Sequence, residues 1–283
     1  MIELIVNIPP DKADICGLVF TASGIEYRVE KGENGWDFWV KEDDYDTALE
    51  TIQEYIEENH WFDDENGQVV PGLQKTYTGI GVAFVLLVFH VLVTQSAGDE
   101  LIMKYGASAH DIMHGELYRA VTALLLHKNY LHLIGNMAGI ALFGTAVCSF
   151  TGYGIGWAMI LFSGIAGNLL NAVLYNAYHI SIGASTAVFG AIGILTGYNC
   201  FIKFKSRGQR IKAWLPIGGG LALLGLLGSG QNSDIMAHFL GFFSGIILGG
   251  FYAFFIREPV DKRWQQYWAL ATIGVFFSSW LLV

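Results

Sequence analysis

The chain has 283 residues, 53% of them hydrophobic and only 14% charged, which is too apolar for a soluble domain of this length. The charge is separated along the chain: residues 1–75 hold 18 Asp/Glu and 5 Lys/Arg, a net of −13, whereas residues 76–283 hold 7 and 11, a net of +4. The acidic balance therefore describes a head, and the remainder reads as an integral membrane body.

Within the head, IELIVNI (2–8) alternates like a strand and DKADICGLVFTASG (11–24) reads as a helix stopped by Gly24. IEYRVEKG (25–32) and WDFWVKE (36–42) are two strands joined by a Gly32-Glu33-Asn34-Gly35 turn. DDYDTALETIQEYIEENH (43–60) is an acidic amphipathic helix with Ala48, Ile52 and Ile56 on one face. The expected order is β-α-β-β-α, a small open sheet with helices on one side and no catalytic constellation. The start, MIELIVNIPPDKAD, lacks the basic flank and long apolar core of a signal peptide, so the head is expected to stay cytosolic. DDEN (63–66) reads as part of a solvated linker over 63–75.

Seven apolar stretches follow, at about 76–95, 129–150, 154–176, 185–203, 213–229, 236–256 and 266–283. Between the first two, 100–126 is mixed in character, with Lys104, Asp111, Glu116 and Arg119, and reads as an interfacial loop with short amphipathic pieces. KFKSRGQRIK (203–212) packs five Lys/Arg into one loop, which places that loop in the cytosol. REPVDKR (257–263) and the head fall on the same side by parity. Spans two, four and six then run inward, so His132, Asn136, Ser185 and His238 all enter at the outer half of the membrane. Polar groups there are costly and usually face the bundle interior.

The fourth span carries Gly183, Gly190 and Gly197 at heptad spacing, with Gly193 nearby; the sixth carries Gly241, Gly245 and Gly249 every four residues. Such small-residue stripes let membrane helices meet backbone to backbone. His238 lies three residues before Gly241, so meeting stripes would bring it to Ser185. A serine hydroxyl needs a base to act as a nucleophile at neutral pH, and His238 can serve as that base and then as the acid for the leaving amine. No carboxylate is placed to orient the imidazole: Asp234 belongs to the outer loop GSGQNSD (228–234). A dyad is expected, with the Phe189 ring holding the imidazole. His132 and Asn136, four apart, share one helix face and can donate to an oxyanion together with the Ser185 N–H.

The stretches GELYR (115–119), HKNYLHLIGNM (127–137), GASTAVFG (183–190) and AHFLGFFSG (237–245), in this order, resemble the rhomboid intramembrane serine proteases. The resemblance covers about residues 78 to 256. It implies a polytopic α-helical bundle with a six-helix core over 76–256, to which 257–283 adds an extra C-terminal span. The head at 1–62 resembles the cytosolic domain of the GlpG type of bacterial rhomboid, a type that lacks the seventh helix. The resemblance makes Ser185 the nucleophile, His238 the base, and His132 and Asn136 the oxyanion donors. Tyr118-Arg119 matches the family's Trp-Arg pair, in which the arginine is structural. Gly183 belongs to the serine motif, and His127 is expected to brace the first loop without acting in catalysis. Three positions depart from the family pattern. Thr186 stands where glycine is frequent and is expected to narrow the pocket. Phe189 replaces a common tyrosine and keeps its ring. Cys148 replaces a common glutamate and its hydrogen bond.

Other readings of these residues are weaker. A lone Ser185 would be a packing serine, and a lone Asn136 would be helix-to-helix glue. His110 and His114 lack a third metal ligand, His90 reads as buried and hydrogen-bonded, and Trp157, Trp264 and Trp268 read as interface anchors. Cys16, Cys148 and Cys200 have no metal-ligand spacing, so no disulfide, zinc or cofactor is expected. Absence of an HExxH motif and of paired helix aspartates disfavours the zinc and aspartyl intramembrane proteases. The expected partners are transmembrane protein substrates and membrane lipids, not nucleic acid; the expected place is the inner membrane, with the head in the cytoplasm. Competing readings are an inactive rhomboid-like binding factor, which would usually lack the serine or histidine, and a proton-relay transporter, which would show inverted repeats.

Overall fold

The computed structural model describes residues 1–32, 35–59, 76–175, 179–205, 213–228, 233–256 and 260–281. The chain divides into two compact units, Met1–Val70 and Pro71–Val283. The expected linker at 63–75, and most of the basic loop at 203–212, lie outside the described residues.

The first unit consists of β1 (Ile2–Ile8), α1 (Pro10–Ala22), β2 (Tyr27–Lys31), β3 (Trp36–Val40) and α2 (Tyr45–Asn59). A proline opens α1, where its missing N–H costs nothing, and Gly24, at φ +71°, turns the chain after it. The sheet order is β1-β3-β2, antiparallel throughout, with Val40 opposite both Ile2 and Tyr27. Phe20, Phe38, Val40, Cys16, Ala48 and Ile52 form its core. The Phe20, Tyr27 and Phe38 rings meet at 5.7–5.8 Å between centroids.

The second unit begins with α3 (Thr78–Phe89), which continues through a π-helical turn at His90–Thr94 into α4 (Gln95–Tyr105). The mixed stretch forms β4 (Ala107–Ser108), α5 (Ala109–Met113), α6 (Arg119–Thr122) and a 3₁₀ turn, Ala123–Leu125. Next come α7 (Tyr130–Gly139), a second π turn (Ile140–Gly144), α8 (Thr145–Thr151) and α9 (Tyr153–Tyr175). The rest of the unit is β5 (Ile180–Ser181), α10 (Ser185–Lys205), α11 (Trp214–Gly228), α12 (Ile235–Phe255) and α13 (Lys262–Leu281). Among the described residues, four helices are long and apolar enough to cross a membrane: Tyr130–Thr151, Tyr153–Tyr175, Ser185–Phe204 and Ile235–Phe255. Thr78–Leu92 and Trp214–Leu226 are apolar but shorter, and α13 has 20 residues.

The helix faces show the pattern expected in lipid, with small residues inside and large ones outside. On α12, Gly241, Gly245 and Gly249 are buried while Phe239, Phe243, Ile247 and Phe251 are exposed. A methyl on Gly245 would overlap the Gly190 carbonyl, one on Gly249 the Ile194 carbonyl, and one on Gly193 the Phe242 carbonyl. The α10–α12 seam is thus backbone against backbone. Gly190 serves two neighbours: its carbonyl meets Gly245 of α12, and its missing side chain leaves room for Ser163 of α9.

Gln265 of α13, only 5% exposed, ties that helix to the core. Its Oε1 accepts from the N–H groups of Gly154 (2.8 Å) and Ile155 (3.1 Å), and its Nε2 donates to Thr151 O at 2.8 Å. The first N–H groups of α9 have no partner within their own helix, so Gln265 acts as their cap from another helix. Gly152 (φ +82°) and Gly154 leave the room it needs. The Trp157 ring packs onto Gly144.

Candidate active site

The site is built where α7, α10 and α12 begin. Asn129 caps α7, its Oδ1 accepting from His132 N–H at 2.9 Å, which fixes the first turn that carries His132 and, four residues on, Asn136. Ser185 is the first residue of α10, so its N–H has no acceptor inside the helix and sits at the positive end of the helix dipole. Asp234 caps α12 through Ala237 N–H at 3.0 Å and so sets the turn that carries His238.

Ser185 Oγ and His238 Nε2 are 2.8 Å apart. His238 is 5% exposed, and its Nδ1 lies 3.2 Å from the Gly228 carbonyl at the end of α11. A carbonyl can only accept, so Nδ1 carries the proton and Nε2 presents its lone pair to Ser185. The Phe189 ring lies 4.8 Å from the imidazole, centroid to centroid, at 33°. Asp234 does not touch the imidazole.

Gly183, at φ +114°, precedes the serine in a conformation that L side chains rarely adopt. A methyl built on it would lie 2.6 Å from His132 Nε2 and 3.2 Å from Asn136 Nδ2. The glycine therefore leaves a hollow about one atom wide in front of two side-chain donors. Asn136 is 5% exposed, and its Nδ2 has no hydrogen-bond partner among the described residues. A buried unpaired N–H costs about 1–3 kcal/mol.

The preceding loop is braced by side chains on main-chain carbonyls. Arg119, 7% exposed, donates to Met103 O (2.7 Å) and Gly106 O (3.3 Å) and pairs with Glu116 and Asp111. Hydrogen bonding to Arg119 first, and then to Tyr118, holds the Glu116 carboxyl below its ordinary range. Bonding to His110 leads the causes that lower Asp111, with Arg119 contributing. Thr122 donates to Tyr105 O at 2.7 Å. The loop then meets the serine segment: Gly183 N–H donates to Ala123 O (2.9 Å) and Ala184 N–H to His127 Nε2 (3.4 Å). His127 is fully buried, and burial, with His132 nearby, pushes its imidazole down to about 3. It is therefore neutral, with Nδ1 donating to Leu125 O at 3.1 Å.

Other residues lie apart from the site or act differently than expected. Thr186, 2% exposed, points its methyl between Gly167 of α9 and Gly241 of α12, so it packs helices and does not narrow the pocket. Cys148 is buried, with Sγ 4.0 Å from Tyr153 O. His90 is buried and edge-on to Tyr130, but its Nδ1 has no hydrogen-bond partner among the described residues. The His110 and His114 rings stack on each other, 4.2 Å between centroids. Reading the sequence alone misses the Gly228 carbonyl, Gln265 and the Asn171–Asp234–His179 contacts. Only Asp234 had a signal there: an aspartate just before an apolar run is an N-cap.

A multi-pass helical membrane protein with a serine and a histidine at hydrogen-bond distance is the class that fold and site define. The Rhomboid domain model matches residues 114–254, a stretch that contains every residue of this constellation. The putative rhomboid protease YdcA of Bacillus subtilis is 30% identical over 54% of this chain and 74% of its own length. RHOMBOID-like protein 7 of Arabidopsis thaliana is 32% identical over 58% of this chain, and the rhomboid protease GluP of B. subtilis 28% over 62%. The match spans 51% of the plant protein and 35% of GluP. The chain belongs to the rhomboid family.

Proposed function

We propose that this chain is an intramembrane serine endopeptidase that cuts transmembrane proteins near the outer face of the membrane. The observation that carries the reading is the 2.8 Å Ser185–His238 contact beside the unpartnered Asn136 Nδ2. His238 Nε2 takes the Ser185 proton as Oγ attacks the scissile carbonyl. The oxyanion is received by His132, Asn136 and the Ser185 N–H; loss of one such donor typically costs about 10²–10³-fold in rate. His238 then protonates the leaving amine, and water enters to hydrolyse the acyl-enzyme. The Gly228 carbonyl has the place a carboxylate holds in a triad, fixing the tautomer without adding charge. Arg119, His127, Phe189 and Gly183 shape and support the site.

In this reading the short helices α3 and α11 and the α13 helix also span, giving six core helices and a seventh. The head and the loops at 203–212 and 257–263 face the cytoplasm, and the protein resides in the inner membrane. Residues 1–62 form a cytosolic domain. The substrate's helix must unwind to be cut, so helix-weakening residues at its outer end favour cleavage, and a small residue precedes the scissile bond. The test is cleavage of a transmembrane substrate in detergent by wild type, Ser185→Ala and His238→Ala, with the new N-terminus sequenced. Wild type is expected to cut, and each variant to lose roughly 10³-fold or more. Equal cleavage by Ser185→Ala refutes the assignment; substrate binding without cleavage by wild type indicates a binding factor.

A further inference from the structure

Asp234 Oδ1 is used by the α12 cap, but its Oδ2 reaches further. It accepts from His179 Nε2 at 2.6 Å and from Asn171 Nδ2 of α9 at 2.7 Å. The Asp234 side chain is 10% exposed and Asn171 is 3% exposed. His179 is stacked on Tyr175 at 4.3 Å, and its carbonyl accepts from Ala109 N–H at 2.8 Å, beside the β4–β5 pair. Burial raises the Asp234 carboxyl, but hydrogen bonds from Ala237, His179 and Asn171 outweigh it, and the group stays below its ordinary range.

We propose that Asp234, His179 and Asn171 form a strap that positions the imidazole-bearing turn of α12 against the segment leading into Ser185. The proposal rests on the protease reading of the Ser185–His238 pair. His179 stands six residues before Ser185, and Asp234 one helical turn before His238, whose N–H donates to the Asp234 carbonyl at 3.0 Å. Ser185–His238 and His179–Asp234 are therefore two rungs between the same two arms of the chain. A second rung has a physical purpose. The α10–α12 seam is largely glycine against main chain, which fixes how near the helices lie. A slide of about 1 Å would spoil the 2.8 Å contact, and such misplacements cost up to about 10²-fold in rate.

The test uses the full chain in detergent and reads kcat and KM on a transmembrane substrate, Ser185 labelling by a fluorophosphonate, and thermal unfolding. Asp234→Ser keeps a good N-cap but is too short to reach His179 or Asn171, whereas Asp234→Ala loses cap and strap together. Asp234→Ser and His179→Ala are each expected to lower kcat and the labelling rate about 10-fold, with KM within about 2-fold and the unfolding midpoint near wild type. His179→Gln, whose amide N–H can reach the carboxylate, is expected to recover most of the loss. Wild-type kcat in Asp234→Ser and His179→Ala overturns the strap, as does a deficit confined to Asp234→Ala, which would leave only a cap. If Asp234→Ser does not fold, the His179 pair decides, because it leaves the cap intact. A wild-type chain that neither cleaves nor labels overturns the protease reading and the strap with it, and is told apart because the parent itself then fails.

Discussion

The seam between α10 and α12 and the loop from α4 to α7 support the same site by different means. Along the seam, Gly193, Gly197, Gly245 and Gly249 bring main chain to main chain, and at Gly241 the Thr186 carbonyl and methyl fill the space. In the loop, Arg119, Thr122 and His127 reach long distances in sequence to main-chain groups of Met103, Gly106, Tyr105 and Ala184. The seam sets how close serine and histidine come; the loop sets where the hollow before His132 and Asn136 lies relative to them. Close packing tolerates no added volume, whereas a hydrogen-bonded brace tolerates volume but not the loss of a donor.

That difference can be broken at either end. The largest effect is expected at the seam: Gly245→Leu forces the helices apart and should cost about 3 kcal/mol or more, read as a lower unfolding midpoint in detergent and lost Ser185 labelling. Next is Arg119→Leu, which keeps bulk but leaves the Met103 and Gly106 carbonyls without their donor. It should cost about 1–3 kcal/mol of stability and lower cleavage by roughly 10-fold. Gln265→Leu removes the cap of α9 far from the site, so it should cost a similar 1–3 kcal/mol in unfolding while folded protein keeps its kcat. Phe189→Leu takes the ring off the imidazole and should cost about 0.5–1.5 kcal/mol, read as a fall of 2- to 10-fold in kcat/KM.

The smallest effect concerns pH and separates the two regions cleanly. Glu116 and Asp111 are held below their ordinary values in the fold, so their contribution is present above about pH 4 and lost as pH falls through the lowered folded values. Stability measured between pH 7 and pH 3 should therefore decline at the acid end in wild type. The decline should be smaller in a Glu116→Gln, Asp111→Asn double variant, while the seam, which carries no charge, contributes nothing to it.

How much of this was legible in the sequence follows the same division. The seam was visible because glycines four apart mark a face, and Ser185, His238, His132 and Asn136 were visible because their chemistry is rare inside apolar spans. Even there, spacing gives a face but not every neighbour it meets: the Gly190 carbonyl lies against Gly245 of α12, while the room left by its missing side chain is taken by Ser163 of α9. The head followed from alternation and turn residues, and each of its five expected elements has a counterpart in the fold. The braces were hidden because their acceptors are main-chain carbonyls, which every residue carries: nothing about Gly228, Met103 or Thr151 announces the group that binds it. Thr186 was read toward the pocket because it follows the serine, but the first turn of α10 directs it to Gly167 and Gly241.

Whether His238 activates Ser185 as a nucleophile is decided by a fluorophosphonate adduct mapped by peptide mass spectrometry. One adduct is expected, on Ser185, formed by wild type, absent from Ser185→Ala and slowed by orders of magnitude in His238→Ala. An adduct on any other residue, or equal labelling of all three proteins, would contradict it.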